Sequence, residues 1–172
     1  MAISPILRLV PAKTSDDWNQ AQRLIQELID WDVGECESFG LVPDEVISTF
    51  YPDTLMDVRR HSEPPAGCFL LATLSGGIAG CAAFKRFSVD ACELYDVYVG
   101  SRFRDEGVGA ALIDELLRGA RAVGYQTMYL ETAPFMTSAI KLYRSLGFEI
   151  IPPYRPIADR FAPITLAMQR AL

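Results

Sequence analysis

Residues 92–110 read Cys92-Glu93-Leu94-Tyr95-Asp96-Val97-Tyr98-Val99-Gly100-Ser101-Arg102-Phe103-Arg104-Asp105-Glu106-Gly107-Val108-Gly109-Ala110. Glu93 to Val99 is rich in β-branched and aromatic side chains and reads as a strand. From Gly107 the period changes: Val108, Ala111, Leu112, Leu116, Ala120 and Val123 recur at three- and four-residue steps and stop at Gly124, the pattern of an amphipathic helix with a glycine after its end. A strand therefore hands over to a helix through Arg104–Ala110. At such a junction the first helical N–H groups have no intrahelical partner and the positive end of the helix dipole faces outward. Gly107 and Gly109 lack the Cβ atoms that would hold a pyrophosphate away, so the amides from Asp105 through Glu106, Gly107, Val108 and Gly109 to Ala110 can donate to its oxygens. Arg104 adds charge or anchors the turn. Asp105 and Glu106 have to point to solvent, since carboxylates repel a phosphate.

Two other phosphate-binding patterns do not fit. A dinucleotide fingerprint needs a third glycine at position 112, which is Leu112, and a Walker A loop needs a Gly-Lys-Ser/Thr that does not follow here.

Working toward the N-terminus, Cys68–Leu74 and Ile78–Phe87 flank Ser75-Gly76-Gly77 and predict a β-hairpin. Before it, Glu63-Pro64-Pro65-Ala66-Gly67 breaks the chain, and Pro43 opens a single helical region with Val46, Ile47, Phe50 and Leu55 facing inward. Thr14 or Ser15 caps an earlier helix whose apolar stripe is Trp18, Ala21, Leu24, Ile25, Leu28 and Ile29, ending near Trp31. A loop with Asp32, Gly34, Glu35 and Glu37 follows, and Ile6–Val10 is an opening strand closed by Pro11. Toward the C-terminus, Tyr125–Glu131 reads as a strand, Ser138–Leu146 as a helix stopped by Gly147, and Phe148–Ile151 and Ile164–Met168 as closing strands around a proline-rich loop. This order predicts an α/β fold, one mixed sheet with helices on both faces, in a single domain over residues 1–172.

Composition narrows the function. A net charge of −6 argues against nucleic acid or an anionic membrane as partner, because both select clustered Lys and Arg. The four cysteines, Cys36, Cys68, Cys81 and Cys92, lack paired CxxC spacing, and His61 is the single histidine, so no metal site is expected. Free thiols imply a reducing compartment. The N-terminal apolar stretch is too short for a signal peptide and no uncharged run of 18 apolar residues occurs, so a cytoplasmic location is expected.

Three stretches together carry a family resemblance: Cys92–Val99, then Arg104-x-x-Gly107-x-Gly109, then Ala139-Ile140-Lys141-Leu142-Tyr143-Arg144-Ser145-Leu146-Gly147-Phe148. In order and spacing they resemble the GNAT superfamily of N-acetyltransferases, over roughly Leu70–Leu172. The resemblance implies a six- or seven-stranded mixed sheet splayed between its fourth and fifth strands, with the pantetheine arm of acetyl-CoA in the gap. It also implies a bulge near Val97–Val99, with backbone groups of Val97, Tyr98 and Val99 facing pantetheine amides and the thioester carbonyl. Tyr143 then matches the general acid near the thioester sulfur, and Glu93 the position of a general base. Three positions depart from the pattern of many family members: Asp105 and Glu106 replace a glycine and a basic residue, and Met136 replaces an asparagine.

The implied activity is acetyl transfer from acetyl-CoA to a primary amine of a small or amino-acid-like molecule, by direct attack in a ternary complex. Two alternatives stay open: a non-catalytic acyl-CoA sensor, and acetylation of protein N-termini or lysines. The acidic set Asp30, Asp32, Glu35 and Glu37 can attract an amine, whereas Arg155 and Arg160 can hold a carboxylate, so the acceptor stays open. By analogy with the family a homodimer is expected, with Ile164–Leu172 supplying an edge strand.

Overall fold

The computed structural model describes residues 6–172; Met1–Pro5, the start of the short apolar N-terminus, lie outside them. Seven strands form one sheet: β1 (Leu7–Pro11), β2 (Cys68–Leu74), β3 (Gly77–Arg86), β4 (Ala91–Val99), β5 (Thr127–Thr132), β6 (Glu149–Ile151) and β7 (Leu166–Ala171). Their spatial order is β1-β2-β3-β4-β5-β7-β6. All neighbours are antiparallel except β4 and β5, which run parallel because a helical crossover joins them.

Helices cover both faces. On one face, α4 (Val108–Val123) presses Val108, Leu112, Ile113, Leu116, Leu117 and Ala120 against Leu70, Ala82, Phe84, Cys92 and Leu94, joined by Tyr143 of α5 (Thr137–Ser145). On the other, Trp18, Ala21 and Leu24 of α1 (Ser15–Glu37) and Val58 of α3 (Leu55–His61) meet Phe69, Leu71, Cys81 and Ala83. The two-residue alternation along β2 divides its side chains between these layers. Burying each large aliphatic chain contributes about 1.5–3 kcal/mol, which is where α4 gets most of its stability.

Local chemistry sets the ends of these elements. Thr14 Oγ1 accepts from Asp17 N at 3.1 Å while Asp17 accepts from Thr14 N at 2.8 Å, a capping box that starts α1. Ser75 and Gly76 both have positive φ, as the tight turn between β2 and β3 requires.

Three expectations are corrected. First, α1 continues to Glu37, so the acidic stretch is helix and not loop: Leu28, Asp32 and Cys36 prolong the buried stripe at four-residue steps. Second, the helical region after Pro43 is two helices, α2 (Pro43–Phe50) and α3, because Thr54 and Asp57 cap a new start after Pro52. Third, the C-terminal strand is not at an edge: β7 pairs with β5 from Thr127↔Ala171 onward and with β6 on its other side, leaving the three-residue β6 at that border.

Candidate active site

The central pair of strands is joined only briefly. β4 and β5 are in register at Ala91↔Thr127, Cys92↔Met128 and Glu93↔Tyr129, and pairing stops there. Beyond Glu93 they diverge, and Leu94–Val97 with Leu130–Thr132 line a cleft of about 240 Å³ closed by residues of α1, α2 and α5. A bulge bends β4 in this stretch: Cys81 faces Tyr98 but Ala83 faces Tyr95, so one extra residue lies between them. Asp96 carries the irregular backbone, with φ 50°. The bulge thus sits at Asp96–Val97, at the start of the predicted span. Its extra residue reverses the alternation, so that Val97 and Val99 join Leu94 on the α4 face while Tyr98 joins Tyr95 on the α1 face.

Glu93 stands at the crotch of the split and is 7% exposed. Tyr154 Oη donates to its Oε1 at 2.7 Å, and Arg155 forms an ion pair with the same oxygen. No hydrogen bond to Oε2 occurs among the described residues. Arg155 lies over the rings of Tyr154 and Phe87, its guanidinium carbon 4.9 and 5.8 Å from their centroids. Its Nε is 3.3 Å from Glu131 Oε1, close enough for an ion pair but not aligned as a hydrogen bond, and both atoms are buried without another partner. Burial raises the Glu131 carboxyl above its ordinary value.

Tyr143 lines the same cleft from α5, 6% exposed, with its ring edge-on to Phe148 at 5.9 Å. Burial pushes its phenol well up, so the hydroxyl keeps its proton at neutral pH. On the opposite wall Tyr51 Oη donates to Asp32 Oδ2 at 3.0 Å, and burial raises the Asp32 carboxyl. Asp96 is pushed up to about 7, chiefly by burial; Lys85 opposes the shift and Asp53 adds to it. Lys85 is itself paired with Asp53 at 3.0 Å, which also meets His61 Nδ1 at 3.2 Å.

The phosphate turn lies at the end of β4, outside the cleft lining. Gly107 is the N-cap of α4, with φ +76° and no capping side chain, and the first turn carries no acidic residue. Ala111 N is bonded to Gly107 O at 3.0 Å, so the helical ladder begins there and the amides of Val108, Gly109 and Ala110 face forward as free donors. A Cβ on Gly107 would meet nothing within 4 Å, so that surface is open. Gly109 has a different reason: a Cβ there would come within 3.0 Å of Leu142 Cδ2, so this glycine lets α4 approach α5, and its amide alone serves an anion. Arg104 Nε donates to Val99 O at 3.3 Å, which makes Arg104 the anchor of the turn to β4. Asp105 and Glu106 are exposed, as the repulsion argument requires. This cradle fits a phosphate-bearing co-substrate.

Glu93, Val97 and Tyr143 are thus brought together in one cleft, with Arg104–Ala110 one strand-end away. Sequence reading missed the burial of Asp32 and the role of Arg155 as partner to two carboxylates. The first had a signal, the four-residue spacing from Leu28 to Cys36; the second had none, because Glu93, Glu131 and Arg155 are far apart in the chain. Arg160, the other candidate for a carboxylate, pairs with Glu45 at 2.9 Å.

A mixed sheet split beside an uncapped helix N-terminus, with a protonated phenol in the split, fits a group-transfer enzyme that uses a phosphate-bearing donor. The model of the acetyltransferase (GNAT) family matches residues 25–148. An uncharacterized N-acetyltransferase of Schizosaccharomyces pombe is 31% identical over 144 residues, 83% of this chain and 82% of its own. The N-acetylaspartate synthetase of Rattus norvegicus is 37% identical over 96 residues, 55% of this chain and 32% of its own, so the match spans about a third of that relative. Among solved structures, N-acetylglutamate synthase of Neisseria gonorrhoeae, complexed with coenzyme A and N-acetyl-glutamate, superposes with a TM-score of 0.68 at 19% identity, over 97% of this chain and 35% of that one. The chain belongs to the GNAT family and is an acyl-CoA-dependent N-acetyltransferase.

Proposed function

We propose that the chain acetylates a primary amine of a small, amino-acid-like molecule by direct attack in a ternary complex, with Tyr143 as general acid and Glu93 as general base. The observation that carries this reading is the single cleft of about 240 Å³ lined by both Glu93 and Tyr143. Its size suits a small acceptor better than a polypeptide.

Acetyl-CoA supplies the acetyl group as a thioester, with the coenzyme thiolate as leaving group. The amides of Val108, Gly109 and Ala110 hold its phosphates, and the backbone of Val97, Tyr98 and Val99, past the last residue of β4 that pairs with β5, orients the acyl end and polarises its carbonyl. Glu93 Oε2 takes a proton from the acceptor's ammonium, freeing the nitrogen lone pair. As the C–N bond forms and the C–S bond breaks, Tyr143 donates its proton to the departing sulfur. The proton shed by the new amide nitrogen restores the phenol. The Arg155 ion pair and the Tyr154 hydrogen bond on Oε1 fix the Glu93 carboxylate in one pose.

The test is calorimetric titration with acetyl-CoA, followed by a thiol-release assay over a panel of primary amines. Saturable binding and release with a small amine are expected. Tight binding with no release from any amine, peptides included, would favour a sensor, and release from peptides alone would favour protein acetylation.

A further inference from the structure

The charged groups of the cleft are Asp32, Asp53, Lys85, Glu93, Asp96, Glu131 and Arg155. Both cations are engaged: Lys85 by Asp53, and Arg155 by Glu93 and Glu131. Asp96 lies in the field of Lys85. Asp32 differs from these. It is 5% exposed, it has no ion pair among the described residues, and its hydrogen bonds come from a neutral phenol, Tyr51 at 3.0 Å, and from the Cys36 thiol at 3.9 Å. A carboxylate so far from water is held at a cost unless a cation joins it. Around it the cleft is aromatic, lined by Phe50, Tyr51 and Phe135, with Trp31 packed on Phe135 at 6.3 Å. A buried carboxylate in a cleft lined by aromatic side chains is a surrounding that recognises an ammonium.

The reacting nitrogen cannot be that ammonium, because it has to lose its proton before it attacks. From these observations, and resting on the transfer reading above, we infer that Asp32 is a specificity residue that binds a second positive charge on the acceptor, so that the preferred substrates are small diamines without a carboxylate. One nitrogen reaches Glu93 and Tyr143 while the other pairs with Asp32. An acidic amino acid finds no free cation among the described residues of this cleft, so the acceptor in the name of the N-acetylaspartate synthetases does not carry over.

The experiment compares 1,4-diaminobutane, n-butylamine and aspartate, by thiol release at saturating acetyl-CoA and by calorimetric binding, for wild type and Asp32→Asn. The wild type is expected to prefer the diamine over the monoamine by at least about tenfold in kcat/KM, with aspartate poorest. In Asp32→Asn the diamine KM rises about tenfold or more while its kcat changes little, and the preference over n-butylamine collapses. Circular dichroism and Tm check that the variant folds, and the wild-type ranking needs no variant. Aspartate ranked above the diamine, no diamine preference, an unchanged KM in Asp32→Asn, or no diamine binding to wild type each overturns the inference. If the diamine binds through Asp32 but no acceptor releases thiol, the site stands and the transfer reading falls instead.

Discussion

At the scale of single residues, burial in the cleft favours the protonated form of its acidic groups. Tyr143 is buried and its phenol is raised, so it is protonated at neutral pH, as the proposed acid role requires. Tyr143→Phe keeps the ring against Phe148 and removes only the donor. Turnover is expected to fall by about 10²-fold or more, within the range that general acids contribute, with acetyl-CoA affinity unchanged. Steady-state kinetics beside calorimetry separates the two effects, and equal loss of both contradicts the proton role. Asp96 makes a different prediction. Its carboxyl is pushed up to about 7 in the fold, above the value of an unfolded chain, so the folded state holds the extra proton between those values. The resulting destabilisation grows as pH rises out of the ordinary carboxylate range and is complete above about 7. Asp96→Asn removes it, so the Tm of the variant relative to wild type should rise between pH 4 and pH 8. A Tm difference that is flat with pH argues against a partly buried Asp96 that titrates near neutrality.

At the scale of elements, the junction of β4 and α4 joins fold to function. Gly107 occupies the left-handed region at φ +76°, where a β-branched residue is strained, and it borders the open surface proposed for the coenzyme phosphates. Gly107→Val should weaken acetyl-CoA binding by at least about tenfold and lower stability by about 1–3 kcal/mol, the cost of holding such a conformation. Denaturant titration and calorimetry measure the two terms; wild-type affinity in a folded variant would remove the turn from the coenzyme site. The bulge at Asp96 is the companion device, because it turns Val97 and Val99 toward α4 where an unbroken strand would turn them away.

For the whole molecule, the split between β4 and β5 means that the central strands are paired over only three residues and the rest of the gap is open to a ligand. A ligand that fills the split binds the folded state alone, so acetyl-CoA should stabilise the protein by mass action. At 100 times its Kd the gain is about 2.7 kcal/mol, or about 5–10 °C in Tm for a chain of 172 residues. Differential scanning fluorimetry with acetyl-CoA and with NAD as control checks this, and equal shifts with both would deny a specific site.

Much of this architecture was legible in the residues themselves. The change of period at Gly107, the Ser75-Gly76 turn and the stripe from Trp18 to Leu28 each express local backbone preference and one buried face, and both act over a few residues. The Arg104–Ala110 turn was legible by the same local logic, whereas Glu93 and Tyr143 were marked as its companions by the family resemblance of three short stretches. Only the tertiary structure decided what those residues meet. It set Arg155 between Glu93 and Glu131, seated β7 between β5 and β6, and buried Asp32 in an aromatic-lined cleft with no ion pair among the described residues. Pairing and desolvation depend on contacts between segments distant in the chain, and no local pattern of side chains encodes them.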